Sequence, residues 1–362
     1  MGNKGLSSIL QTAIIAAGLL IASCGDGGPT KPNEVRLPKF YFRDIGNPNQ
    51  IHVYDVRTDS LRTLLVPDGV FGPSAGYGPM AGSSCLRRLY LGDYRGGLAN
   101  TGVYDLDLDS LIDIKPIPSY YGIAVSPDDR LLALCGDSLL VVKTSDFSVV
   151  FHDSARAARP VFSRNSRTLY AVEGRNLQYA FIIRFGDSIA CERHTFPTPI
   201  WRILPSPDEK RWFVYSVLGA NTQGVGVYDP ATDSLLEGTT TSPGRGDMEW
   251  TPDGKRLIYD SPGGYVVQGP VPFAFFFADL STGFQVSTVN TSPLTDQDDS
   301  TFDGFRPSEM ALSRDGQYLA AAPASLMGAF VIYNTWTGKF MRCWNYGRKD
   351  PAAAFASVVC VY

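Results

Sequence analysis

The chain has 362 residues, 44% of them hydrophobic, and a formal net charge of −4, so it is long and apolar enough to bury a substantial core. Its 32 basic and 36 acidic side chains are dispersed with no Lys/Arg run, which argues against a nucleic-acid partner or an electrostatic membrane patch. The 25 prolines and 36 glycines, without sustained helical periodicity, fit many turns better than helices.

The N-terminal stretch MGNKGLSSILQTAIIAAGLLIASC carries one cation, Lys4, then an apolar run from Ile9 to Ala22 and no acid. That pattern is a bacterial secretion signal, too short for a comfortable membrane span. Its end, LIASC, resembles the lipobox of bacterial lipoproteins, which implies that residues 1–23 are a signal peptide and that Cys24 becomes the first mature residue and carries lipid. An ordinary signal peptide cleaved nearby, or an uncleaved anchor, is the competing reading. Residues 24–38 are polar and Gly/Pro-rich, as a flexible tether should be, and leave 39–362 for the folded domain. Gly25 resembles the arrangement that permits export to the outer membrane. Palmitate on Cys24 is then the expected membrane attachment.

Five further cysteines, Cys85, Cys135, Cys191, Cys343 and Cys360, are scattered without a Cys-x-x-Cys pair. Most stand in apolar runs such as LLALC and SVVCVY, so buried free thiols are expected, with one disulfide left open.

Two phrases alternate along the rest. One is VYDVRTDSL at 53, VYDLDLDSL at 103 and VYDPATDSL at 227, with looser versions FADLSTGFQV at 277 and VIYNTWTGKF at 331. The other is SPDDRLLAL at 126, SRNSRTLYAV at 163, SPDEKRWFVY at 206, TPDGKRLIYD at 251 and SRDGQYLAAA at 313, with a weaker SSCLRRLYLG at 83. Each is turn chemistry feeding a strand: Pro presets one dihedral, Asp bonds its own backbone, and Gly or Asn tolerates positive φ. The second phrase recurs at spacings of 43, 37, 43, 45 and 62 residues. A period near forty with four short strands per unit is a propeller signature.

Six whole units fall at 84–115, 117–153, 156–195, 198–238, 245–288 and 306–343. Residues 39–65 supply three strands without an inner one, and FASVVCVY at 355 supplies one inner-type strand alone. The expected fold is therefore all-β: a seven-bladed β-propeller of four-stranded antiparallel blades, its ring closed by N- and C-terminal strands sharing one blade, which removes an exposed sheet edge. The two phrases resemble those of seven-bladed propellers with YVTN-type repeats, related to lactonase-like propellers and common in secreted bacterial proteins. WD40-like propellers share the plan. The resemblance is specific for fold and weak for function.

Sequence motifs for chemistry are sparse. His52, His152 and His194 are too few and dispersed for a metal centre, and no G-x-S-x-G, H-E-x-x-H, P-loop or dinucleotide fingerprint occurs. No catalytic residue, metal ligand or cofactor is therefore assigned. The acidic stretch TDQDDSTFDGF at 295–305 offers oxygen ligands for calcium but departs from EF-hand spacing, and a solvated loop is the simpler reading. The tripeptide RGD at 245–247 begins an inner strand, which speaks against an adhesion motif.

The Pro-Asp and VYD turns close one face of the ring. The long, non-repeating loops lie on the other, which makes that face the expected binding surface. Four residues before each turn Ser/Thr stand Gly122, Arg159, Arg202, Asp247 and Glu309, where inner strands enter the central channel. With Tyr121 and Trp201 beside them, Arg159, Arg202, Asp247 and Glu309 form a candidate ligand-binding mouth. The bland alternative is that these charges pair with each other and cap the channel. The expectation is a lipid-anchored, non-enzymatic binding or scaffold module of the bacterial cell envelope, taking a protein, peptide or glycan on its long-loop face. A lactonase-like hydrolase acting on a small ester or lactone at the channel mouth is the alternative that the resemblance implies.

Overall fold

The computed structural model describes residues 37–362 apart from 45–46, 48, 68–77, 94–99, 175–176, 220–221, 242–246, 262–264, 267–268, 271–273, 283–284, 291–293, 296–300, 303–306, 324–328 and 346–354. Cys24 and the tether lie outside the described residues, as does most of the acidic stretch at 295–305.

Seven four-stranded antiparallel sheets make the ring. Blades 1 to 6 occupy 80–115, 122–153, 157–195, 200–241, 248–290 and 307–345. Blade 7 takes its inner strand from Phe355–Val361 and its outer three from Lys39–Asp44, Gln50–Asp55 and Ser60–Leu65. The closure is a regular ladder in which Lys39 faces Val361 and Arg43 faces Ser357. Two regions read as loops contain small ladders instead: Tyr265–Val266 with Gly269–Pro270, inside blade 5, and Leu294–Thr295 with Thr301–Phe302.

The core is divided by interface rather than concentrated at one centre. Seven apolar clusters each fill the gap between two neighbouring blades, from Tyr41, Leu64 and Leu89 between blades 7 and 1 to Phe42, Phe330 and Ile332 between blades 6 and 7. Across that last interface Phe42 stacks on Phe330 with ring centroids 4.3 Å apart. Every blade thus buries both faces, and removing any one leaves two apolar surfaces in water.

The repeated phrases have a common atomic explanation. In VYDxxxDS the first Asp caps its own turn: Asp55, Asp105 and Asp229 accept from the backbone N–H two residues on, at 2.9, 2.9 and 2.8 Å. The second Asp sits in the left-handed region, with φ 51° at Asp59, 51° at Asp109 and 52° at Asp233. Its carboxylate accepts from the buried Tyr of the phrase, at 2.7 Å for Tyr54–Asp59 and 2.9 Å for Tyr104–Asp109, with Tyr228–Asp233 likewise bonded.

In the other phrase the Ser or Thr hydroxyl donates to the Asp or Asn two residues on, at 2.6 to 2.7 Å in blades 2 to 6. The next residue adopts positive φ, expected for Gly or Asn. Gly254 and Gly316 fit that expectation, but Asp129, Ser166 and Glu209 fill the same position with φ of 58°, 62° and 58°. Their side chains explain the departure, because each reaches the preceding blade. Asp129 accepts from Cys85 N, Ser166 Oγ from Asp128 N, and Glu209 from Asn165 Nδ2. The two glycines reach back by packing instead. A Cβ on Gly254 would stand 3.0 Å from Pro207 Cγ, and one on Gly316 would stand 2.5 Å from Pro252 Cδ.

Among the described residues Cys135, Cys191, Cys343 and Cys360 are free thiols. Cys135 and Cys343 are buried as expected, whereas Cys191 is exposed on an outer strand. His52 is buried beside Asp44 Oδ2 at 3.3 Å, with Thr63 Oγ1 3.1 Å from its other nitrogen, which is a packing role.

Candidate functional site

The channel mouth is shaped by irregularities in the inner strands. In blade 3 the ladder between Ala157–Phe162 and Thr168–Glu173 shifts between Ala158 and Val161, so Arg159 stands in a bulge with φ 52°. Such a conformation costs an Arg roughly 1 kcal/mol, and bulges commonly re-aim side chains beside binding sites. The bulge docks on blade 2: Arg159 N donates to Tyr121 O at 3.1 Å, and a Cβ on Gly122 would fall 2.3 Å from Pro160 Cδ. Only glycine at 122 admits that approach. Register shifts recur in blade 4 between Ile200 and Arg202 and in blade 6 between Pro307 and Glu309.

These strands surround a cavity of about 750 Å³ lined from all seven blades. Tyr121, Arg159, Trp201, Arg202 and Asp247 all line it. Glu309 lies in the inner strand Pro307–Leu312 of blade 6, next to the lining residue Met310, and its side chain lies outside the described residues.

Two of the aligned charges hold the ring together. Asp247, buried, pairs with Arg202 from blade 4. Its Oδ1 also accepts from Met248 N and its Oδ2 from Met310 N, each at 2.8 Å, so one carboxylate ties blades 4, 5 and 6. Burial of Asp247 also removes the RGD tripeptide from any adhesive role. At the rim Arg156 donates to Asp137 at 2.8 Å and lies 5.2 Å over the Tyr121 ring, while Tyr120 hydroxyl donates to the same carboxylate. Tyr121 is therefore one wall of an ordered rim rather than a free stacking platform.

The sequence alignment passed over Glu249. Strand residues two apart share a face, so Glu249 follows Asp247 into the channel while Met248 between them enters the core between blades 4 and 5. Around it the cavity lining from blades 1, 2, 6 and 7 includes Ala81, Ala124, Ala311 and Val359, all apolar. Burial in that setting pushes the Glu249 carboxyl up to about 7, partly offset by the Arg202 charge. Period two from Asp247 was the available signal. Arg156 and Tyr120 were also passed over, since they precede the inner strands and carry no repeat register.

Cys360 of the closing strand lines the same cavity, and burial raises its thiol pKa, with nearby Asp315 and Glu249 adding to the effect, so it is a poor nucleophile. Among the described residues no cluster of three His, Cys, Asp or Glu side chains is placed to hold a metal.

No protein-family model matches the chain, and no curated protein does. Solved structures do. A proposed 6-phosphogluconolactonase from Bacteroides fragilis is 11% identical with a TM-score of 0.61, over 92% of this chain and 100% of that one. A second, from Bacteroides uniformis, is 13% identical with a TM-score of 0.59, over 90% and 99%. Hydrazine synthase from Kuenenia stuttgartiensis is 18% identical with a TM-score of 0.58, over 72% and 77%. At these identities the likeness is one of fold: the chain is a seven-bladed β-propeller whose structural neighbours include lactonase-like ones.

Proposed function

We propose that the chain is a lipid-anchored binding module of a bacterial cell envelope, held to the membrane by Cys24, that takes its ligand at the channel mouth on the long-loop face without chemical change. One observation carries this reading. The mouth holds an Arg in a left-handed bulge, Arg159, whose guanidinium makes no ion pair among the described residues while its neighbours Arg156 and Arg202 are both paired. A strained backbone presenting an uncommitted charge to a cavity is an arrangement for contact with something outside the chain. The ligand expected is a polar one: a peptide, a glycan or an exposed end of a protein.

The test is cross-linking in the native host with a photoreactive residue at position 158, which lines the cavity beside Arg159, then identification of what is attached. Capture of one ligand at position 158, lost when Arg159→Met is added to the same chain, supports the reading. Cross-links equal to those from a probe on the outer strand at Cys191 overturn it.

The lactonase-like neighbours favour a second reading, hydrolysis of a small ester or lactone with Glu249 as general base, its carboxyl being near neutrality. Hydrolysis of lactone substrates that disappears in Glu249→Gln would replace the binding reading with this one.

A further inference from the structure

The charges that line the cavity do not cancel evenly. Arg156 is taken by Asp137 and Arg202 by Asp247, which leaves Arg159 and Glu249 as the two described charged groups lining the channel that make no ion pair. They come from different blades, 3 and 5, and stand at different registers: Arg159 four residues before its turn residue Ser163, Glu249 two before its own, Thr251. The described charged or titratable residues that line the cavity with Glu249 are Tyr120 and Tyr121 from blade 2, Arg156 and Arg159 from blade 3, Arg202 from blade 4, Asp247 on its own strand and Cys360 from blade 7, of which Arg202 and Cys360 interact with it electrostatically. Among the described lining residues blades 1 and 6 add no charge.

When Glu249 is neutral, the described lining carries one uncompensated positive charge, Arg159, in a partly enclosed cavity. A guanidinium with free donors offers a planar fork matched to a carboxylate, sulfate or phosphate. When Glu249 is ionised, the same cavity holds a negative charge that opposes any anion entering past Arg159.

We infer that the channel mouth is an oxyanion site in which Arg159 is the recognising cation and Glu249 takes up a proton as the anion enters. The inference rests on the binding reading above and narrows it to ligands that end in a carboxylate, phosphate or sulfate group. The proton comes from solvent, and Glu249 passes from carboxylate to carboxylic acid with no other bond changed. Ligand and proton therefore bind with positive coupling, each favouring the other. A bound anion that raises the Glu249 pKa by about one unit from its value near 7 makes affinity at pH 6 about five-fold higher than at pH 8.

Calorimetric titration of the intact chain with two fully ionised probes tests this: sodium sulfate, and gluconate as an organic carboxylate. Each is run at pH 6 and pH 8, and at pH 7.5 in two buffers that differ in ionisation enthalpy, so that proton uptake is read directly. The expected result is binding of at least one probe, about five-fold tighter at pH 6, with net proton uptake. Gluconate alone binding would mark a carboxylate-bearing organic ligand, and both binding would mark a general oxyanion site. Arg159→Met abolishes binding. Glu249→Gln retains it but loses the pH dependence and the proton uptake. The inference falls if neither probe binds at 20 mM, if Arg159→Met binds as wild type does, or if proton uptake persists in Glu249→Gln. A neutral ligand cross-linked at position 158 would leave the binding reading standing and overturn the oxyanion assignment alone. Circular dichroism and the unfolding midpoint of each variant separate lost binding from lost fold.

Discussion

Glu249 should be a liability to the fold above neutral pH, and replacing it by Gln should show how large a liability. Its carboxyl is raised from 4.5 to about 7 in the folded chain. At about 1.4 kcal/mol per unit, that displacement corresponds to about 3 kcal/mol, and access of channel water through the mouth reduces it to about 2. Because the folded-state value is the higher one, folding takes up a proton between these two values, so stability falls as pH rises. Below about pH 4.5 both states are protonated and Glu249 costs nothing. Above about pH 7 the folded state carries the whole penalty. Glu249→Gln keeps the shape and removes the charge, so wild type and variant should unfold alike at pH 4.5 and differ by about 2 kcal/mol at pH 8, with the variant the more stable. Guanidinium unfolding followed by tryptophan fluorescence at the two pH values measures the difference. A variant less stable than wild type at pH 8 would refute the reasoning, because it would mean that the ionised carboxylate is compensated by Arg202 rather than isolated in an apolar ring.

The aligned channel charges should separate by role. Asp247→Ala, which strands the Arg202 guanidinium and Met310 N–H, should cost about 3 kcal/mol, whereas Arg159→Gly should be neutral or stabilising because it relieves the positive φ; thermal midpoints decide, and equal losses would mean both are structural. Gly316→Ala combines φ 75° with a Cβ 2.5 Å from Pro252 Cδ and should cost about 2 kcal/mol or more in the same assay, while an unchanged midpoint would show that the turn contact between blades 5 and 6 is slack. Deleting residues 355–362 removes the inner strand of blade 7 and exposes clusters on both its sides, so the cooperative unfolding transition should disappear; a truncated chain that melts as the whole one does would mean the ring does not depend on this closure.

What could be read from the sequence follows the range of the interactions. The Ser-x-Asp and Tyr-Asp locks join residues two to five apart, so the repeat length and the blade count are written locally, and the strands at the two chain ends, left over from six whole units, make up one blade. The position of Arg159 at the mouth also followed from register. Its bulge did not, because that depends on the missing Cβ of Gly122 in another blade. The aligned acids looked equivalent in sequence. Asp247 is tied into the ring because Met310 N, 63 residues away, donates to it, and no local pattern encodes that contact. Likewise Asp129, Ser166 and Glu209 hold left-handed positions for the sake of bonds to the preceding blade, a reason visible only once neighbouring turns lie side by side.

The two faces of the ring differ in how much of their polar chemistry is already used. On the turn face, hydroxyl hydrogen bonds from Ser206, Thr251 and Ser281 hold the carboxyls of Asp208, Asp253 and Asp279 below the usual range, and ionised carboxylates there are part of the turns themselves. Asp129 is the exception, raised by burial, yet it too is occupied, by Cys85 N–H. A ligand that recruited these groups would compete with the bonds that lock each blade to the one before it. At the channel the comparable locks among the described residues are the Arg202–Asp247 pair with its two backbone donors and, at the rim, Arg156 and Tyr120 on Asp137. The side chains of Arg159 and Glu249 lie beside these locks without belonging to them, so in the proposed site an anion engages the first and a proton from solvent neutralises the second while every bond that closes the ring stays in place.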